Sequence, residues 1–243
     1  MRKFAAALTL LTIIPVPGYV ANENDIERCK PFFPLVGLVA GGIVAGIAWL
    51  SGRYLPPAVS AIILVVILSG ISSGFHVDGL ADTADGFMSS RSKDKILEIM
   101  HDSRIGTMGV LAMFGVLGIK ATAFYSMMPE QLVPVVFLAA VSGRCAIVFY
   151  VNISRYARPS GLGEIMFRRK SILSCIWALG VMFGLCGWML GYRGLVAAAA
   201  VMIFCISWRI YCRHKIGGAT GDTIGACEEI AEMLIPLVVC IGA

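Results

Sequence analysis

Long apolar stretches alternate with short polar ones along the whole chain. They fall at roughly 33–50, 58–75, 106–128, 131–151, 171–191, 194–212 and 226–243 when the chain is scanned for helix-length apolar runs. Several approach the ~20 residues that a helix needs to cross a hydrocarbon core of about 30 Å. The pattern predicts an all-α fold: a polytopic integral membrane helical bundle of about seven transmembrane helices, built as a single domain over residues 1–243. Phe4 to Ile14 is apolar but short. It is followed by Pro15-Val-Pro17-Gly18 and not by a small-residue cleavage site, so an N-terminal amphipathic or re-entrant segment is expected rather than a signal peptide. Ser92 to His101 predicts a short interfacial helix, with Ser92 as its cap and Ile96, Leu97, Ile99 and Met100 as its apolar stripe.

Composition agrees with this pattern. Hydrophobic residues make up 58% and charged residues 14%, against about 45–50% and about 25% in a soluble domain. The charges sort by position. Of the 20 Lys and Arg, 16 fall in the N-terminal region and in the second, fourth and sixth connections. Arg53 and Arg193 stand alone in the first and fifth, while Lys120 and Arg144 lie inside apolar stretches. The positive-inside rule then predicts a multi-pass protein of the bacterial inner (cytoplasmic) membrane, with the N-terminus and the even connections in the cytoplasm. The polar motifs share that side, so an active site facing the cytoplasm is expected. The net charge of +5 is explained by this sorting and does not point to nucleic acid. The eight cysteines show no CxxC or zinc spacing and are expected as buried small hydrophobes.

The segment His76-Val-Asp78-Gly79-Leu80-Ala81-Asp82-Thr83-Ala84-Asp85-Gly86 carries the strongest chemical signal. On a helix Asp78, Asp82 and Asp85 fall within about 60° of one another over about 10 Å. Like charges so placed repel, and a divalent cation reverses the sign of that interaction. Hard oxygen ligands favour Mg²⁺, Ca²⁺ or Mn²⁺ over zinc. No Lys or Arg occurs between Arg53 and Arg91 to neutralise them. His76 lies about 160° around the helix from Asp78 and should point elsewhere.

Three further segments supply candidates. Asp102 can complete a metal shell, and Arg104 can clamp a phosphate as a planar fork, although a capping Asp and a positive-inside Arg explain the pair as simply. In the fourth connection Arg155, Arg158, Gly161 and Gly163 suit an anion held by guanidinium and backbone N–H groups. Arg144, inside an apolar stretch, requires an acidic residue or a substrate phosphate as partner. In Gly217-Gly218-Ala219-Thr220-Gly221-Asp222, free N–H groups lead into a helix and offer an anion site, with Asp222 as a further metal ligand. Glu229 lies seven residues on, on the same face, and Glu232 follows. Only about 21 Å of helix remains after Glu229, so the last span should begin before the acids. Carboxylates, arginines and Gly-rich turns without a nucleophile–base pair are the parts that Mg²⁺-assisted phosphoryl transfer needs.

At these motifs the chain resembles the adenosylcobinamide-GDP ribazoletransferase (cobalamin synthase) family. The resemblance runs from Leu8-Thr9-Leu10-Leu11-Thr12-Ile13-Ile14-Pro15-Val16-Pro17 and Phe33-Pro34-Leu35-Val36-Gly37, through the acidic segment and Asp102–Thr107, to Gly161–Gly163 and Gly217–Gly225. It implies a Mg²⁺-dependent enzyme of cobalamin biosynthesis. Such an enzyme joins adenosylcobinamide-GDP to α-ribazole or its 5′-phosphate and releases GMP. Its catalytic candidates here are Asp78, Asp82, Asp85 and Asp102, with Asp78, Asp82, Asp85 and Asp222 on the metal. Arg104, Arg144, Arg158, Gly161, Gly163, Gly218, Thr220, Gly221 and Glu229 face the substrates. Membrane lipid is an expected partner, a homo-oligomer is left open, and nucleic acid is not expected. The Asp-Gly-x-x-Asp-x-x-Asp-Gly core is also similar to CDP-alcohol phosphotransferases. The chain departs from their pattern at Phe75, where they place an Asp, and at Asp82-Thr83, where they place Ala-Arg. A cation-coupled transporter is the alternative of a different class, and the one-sided distribution of polar motifs argues against it.

Overall fold

A computed structural model describes residues 1–161 and 163–241. Gly242 and Ala243, the end of the last predicted stretch, lie outside the described residues, as does Leu162. The described chain is helical: α1 (Arg2–Leu11), α2 (Glu23–Glu27), a 3-10 turn (Lys30–Phe32), α3 (Phe33–Tyr54), α4 (Pro57–Gly70), α5 (Phe75–Met88), α6 (Lys93–Ile99), α7 (Thr107–Tyr125), α8 (Pro129–Ile153), α9 (Glu164–Arg168), α10 (Ile172–Ile216) and α11 (Gly221–Cys240).

This is the expected all-α membrane bundle, with a different arrangement of spans. Four helices are long and apolar enough to cross a membrane, and five if the bent pair α4–α5 is counted as one span. The expected count of about seven is not reached by that measure, for reasons visible in the chain. The predicted stretches 171–191 and 194–212 join into α10, 45 residues interrupted at Gly191 (φ +59°, ψ −138°). Beyond that glycine the chain doubles back, so that Gly194 abuts the Cys186 carbonyl and Gly187 faces Leu195. The last helix, α11, carries Asp222, Glu228, Glu229 and Glu232. The predicted stretch 58–75 stops early, because Ser73 (φ +56°) and Gly74 (φ +71°) turn the chain through the left-handed region. The acidic helix α5 therefore leaves α4 at 87°, and with 14 residues, three of them aspartates, it is too short and too polar to cross a membrane by itself.

The short elements sit around this frame. The N-terminal α1 has 10 residues, about 15 Å and too short to cross. It buries Ala6, Ala7 and Leu11, and Arg2 and Tyr19 both donate to Asp25, at 3.1 and 3.2 Å. Ile96 of helix α6 and Met100, the residue that caps its C-terminus, pack against Gly86 of α5. Ser92 occupies its N-cap position, but the hydroxyl accepts no capping bond, which corrects that expectation.

Glycines set the two approaches that matter for the site. Helix α3 meets the deeply buried α8 at Gly37 and Gly41, where a Cβ would lie 2.9 Å from Val141 Cα and 2.7 Å from the Phe137 carbonyl. Small residues one turn apart let backbones of membrane helices approach closely. Helices α5 and α11 cross reciprocally. A Cβ on Gly79 would lie 2.7 Å from the Asp222 carbonyl, and one on Gly225 would lie 2.9 Å from that of His76. The crossing brings the acidic segment onto the Gly-rich turn. Gly79→Ala should therefore lower stability by about 1–3 kcal/mol, since backbone has to move, whereas Gly42→Ala, with open space around it, should stay within about 0.5 kcal/mol. Thermal unfolding in detergent checks this; equal midpoints for the two variants would contradict the close crossing.

Candidate functional site

Beside the α5–α11 crossing lies a cavity of about 300 Å³, lined by Asp78, Asp82, His101, Asp102 and Asp222 and closed by Ala81, Met100, Ile105 and Met113. Asp78 is exposed, while Asp82 and Asp222 are half-buried. Burial, and then the carboxylates of Asp78, Asp222 and Asp85, push the Asp82 carboxyl from its ordinary 3.8 up to about 7. Such crowding of like charge is unfavourable for the carboxylates when no cation stands among them.

Asp222 is held from two sides. The Arg158 guanidinium donates to its Oδ2 at 3.0 Å, and the Thr220 hydroxyl donates to the same oxygen at 3.2 Å. Thr220 also caps α11: its Oγ1 accepts from the Thr223 N–H at 3.2 Å, and the Thr223 hydroxyl accepts from the Thr220 N–H at 2.8 Å. That reciprocal box starts the helix where Asp222 enters the cavity.

Two loops carry Arg158 there. The Ala157 N–H donates to the Ala219 carbonyl at 2.9 Å, and the Ala219 N–H donates to that of Arg155 at 2.7 Å. Gly218 fits beneath the Arg155 carbonyl, where a Cβ has no room. Gly217 (φ +82°) ends α10 as a left-handed cap. Gly161 and Gly163 wrap Tyr156, and Gly163 also approaches the Gly221 backbone nitrogen, 3.4 Å from where its Cβ would be. These glycines thus shape the loop that carries Arg158.

The structure does not bring every expected residue into the cavity. Asp85 reaches across to α7, where its two oxygens accept from the Gly106 and Gly109 N–H groups at 2.7 and 2.8 Å. The unpaired N–H groups of a helix start draw a carboxylate in this way. Arg104 is exposed and forks onto Asp102, with Nη2–Oδ2 at 2.6 Å and Nε–Oδ1 at 3.0 Å. That pairing holds the Asp102 carboxyl down at about 2.

Arg144 and Glu229 belong to a second, sealed cluster. Arg144 is fully buried and contacts Glu228 at 2.5 Å and Glu232 more closely still. Lys120 donates to Glu229 at 2.6 Å and to Glu232 at 2.8 Å. His76 Nδ1 lies 3.1 Å from Glu228, turned away from the Asp78 side as helix geometry requires. Gly143 of α8 makes room, since a Cβ there would meet Glu228 and Glu232 at 2.8 Å. The three glutamates are close enough to hold a metal ion. Their oxygens, however, already face an ammonium and a guanidinium that would repel one, so this cluster serves as scaffold. Lys120 and Glu228 were not among the expected site residues. The same argument that singled out Arg144, a charge within an apolar stretch, applies equally to Lys120.

Fold and cavity together define a polytopic membrane protein with an acidic, arginine-flanked pocket suited to phosphate chemistry. Over residues 3–240 the sequence matches the family described as cobalamin-5-phosphate synthase. Proteins named adenosylcobinamide-GDP ribazoletransferase are similar throughout. The one from Klebsiella pneumoniae (strain ATCC 700721 / MGH 78578) is 36% identical over 98% of both chains. That of Roseiflexus sp. (strain RS-1) is 40% identical over 94% of this chain and 85% of its own. A third, from Clostridium botulinum (strain Okra / Type B1), is 33% identical over 98% and 97%. The chain belongs to the cobalamin-5-phosphate synthase family and is a transferase of cobalamin biosynthesis. No solved structure matches it.

The two kinds of aspartate on α5 should separate in stability. Asp85→Asn weakens a cap and should cost about 1–2 kcal/mol, whereas Asp82→Asn relieves crowding and should leave the metal-free protein at least as stable near neutral pH. Unfolding in detergent with a chelator checks this, and a loss at Asp82 matching that at Asp85 would contradict the assignment.

Proposed function

We propose that this enzyme transfers the adenosylcobinamide-phosphate group of adenosylcobinamide-GDP to α-ribazole or its 5′-phosphate, with release of GMP, using Mg²⁺. The observation that carries the reading is the convergence of Asp78, Asp82 and Asp222, from the two ends of the chain, on one cavity with Arg158 beside them. The hydroxyl oxygen of the ribazole attacks the phosphorus that bears the cobinamide, the bond from that phosphorus to the GMP oxygen breaks, and the hydroxyl proton is released to solvent. Asp78, Asp82 and Asp222 form an all-oxygen donor set that fits a hard divalent cation, and would hold it. When bound, Mg²⁺ neutralises phosphate oxygens as charge builds on them. Arg158 adds a guanidinium fork at the edge of the cavity, and the Gly161–Gly163 and Gly217–Thr220 loops hold that fork in position. Positioning and charge neutralisation supply most of what phosphoryl transfer requires.

Purified protein in micelles, given both substrates and Mg²⁺, should release GMP without any ion gradient. Asp82→Asn should lower that rate by at least about 10²-fold, the scale of losing one electrostatic partner of the transition state. Near-normal release by Asp82→Asn with unchanged Mg²⁺ dependence would overturn the reading.

The sorting of Lys and Arg further supports a cavity that opens to the cytoplasm across the inner membrane. New cysteines at Ser92 and Ser160 should resist an impermeant thiol reagent added outside intact cells, while cysteines at Arg53 and Arg193 should react. Labelling at 92 and 160 from outside would contradict that orientation.

A further inference from the structure

A second cavity, of about 420 Å³, is bounded by the same paired loops and shares no lining residue with the acidic one. Its character is opposite. Arg155 enters from the loop after α8, Lys170 from the segment before α10, and Arg209 and Arg213 from the last turns of α10. The last two stand four residues apart and so on one helix face. No carboxylate lines the cavity, and among the described residues Arg155, Arg209 and Arg213 form no ion pair. Burial, and then the charges of Arg155 and Arg209, lower the Lys170 ammonium below its ordinary range.

Basic residues at a cytoplasmic membrane edge ordinarily extend into water and need no further partner. Two observations set this group apart. The four cations converge on one cavity whose lining holds no carboxylate to offset their mutual repulsion. Ser154, 3% exposed, also lines that volume, and its hydroxyl is buried without a hydrogen-bond partner. A buried hydroxyl left unpaired is costly, and structures retain few of them. An anion with several acceptor oxygens would satisfy the hydroxyl and the guanidinium groups together, and arginine forks match phosphate geometry in particular.

We propose that this cavity is a phosphate-binding site separate from the acidic cavity. Its ligand is a phosphate ester, either the headgroup of an anionic phospholipid or the phosphate of a soluble compound. The proposal goes beyond the reaction above and does not depend on it, because its readout is binding and not turnover.

The test uses the full chain. One arm follows thermal unfolding in neutral detergent with inorganic phosphate against chloride at matched ionic strength, which removes general screening. The other compares phosphatidylcholine nanodiscs with and without phosphatidylglycerol. A midpoint that rises with phosphate identifies a soluble ligand; one that rises only with phosphatidylglycerol identifies a lipid. In either case R209Q/R213Q should raise the half-saturating concentration at least tenfold. S154A, which removes the unpaired hydroxyl and should fold, should raise it several-fold. A wild-type protein that responds to neither probe, or variants that respond as the wild type does, would overturn the proposal. GMP release, measured on the same preparations, reports separately on the acidic cavity.

Discussion

Three glutamates, an arginine and a lysine stand within an apolar bundle with at most 1% of their surface exposed. Charges in such surroundings are strongly destabilising unless neutralised where they stand, and this requirement organises the fold. Glu228, Glu229 and Glu232 come from α11, Arg144 from α8, Lys120 from α7 and His76 from α5. The contacts close only if these four helices take one relative placement. Gly143 is where α8 yields space to the acids, and Gly79 and Gly225 are where α5 and α11 touch. The same placement brings Asp222 from the start of α11 beside Asp78 and Asp82 of α5. The acidic cavity is thus a geometric consequence of the buried network.

The carboxylates of α5 and α11 act in three ways that local electrostatics tells apart. Those of the network face cations at hydrogen-bond distance. Asp85 faces the backbone N–H groups that open α7. Asp78, Asp82 and Asp222 face one another, with Arg158 as their flanking cation. The last arrangement is unfavourable for the protein alone, as the raised Asp82 carboxyl records. Sites poised for chemistry commonly keep such unfavourable local terms.

Much of this is legible in the sequence. The apolar runs located the helices, and the spacing of Asp78 and Asp82 placed them on one face. The need of an intramembrane arginine for a partner anticipated the pairing of Arg144 with Glu232. The exceptions have physical causes. Sequence spacing assigns Asp85 to the face of Asp78 and Asp82, but it cannot show that α7 begins beside it. Arg104 was expected on phosphate, yet its nearest acceptor is Asp102, two residues away. The hairpin at Gly191 depends on a positive φ that the surrounding apolar residues conceal. The basic cavity draws on residues from three separated segments, which composition alone attributes to membrane topology.

The central claim is that α11 carries scaffold acids and site acids side by side, and Mn²⁺, as a spin probe in place of Mg²⁺, separates them directly. Binding and thermal unfolding would be measured together on Glu229→Gln and Asp222→Asn in detergent. The account predicts that Glu229→Gln unfolds at a markedly lower temperature while its folded fraction binds Mn²⁺ as the wild type does. Asp222→Asn should keep its unfolding midpoint and bind Mn²⁺ at least tenfold more weakly. Loss of Mn²⁺ binding in Glu229→Gln without loss of stability, together with normal binding in Asp222→Asn, would move the cation site into the buried cluster and contradict the account.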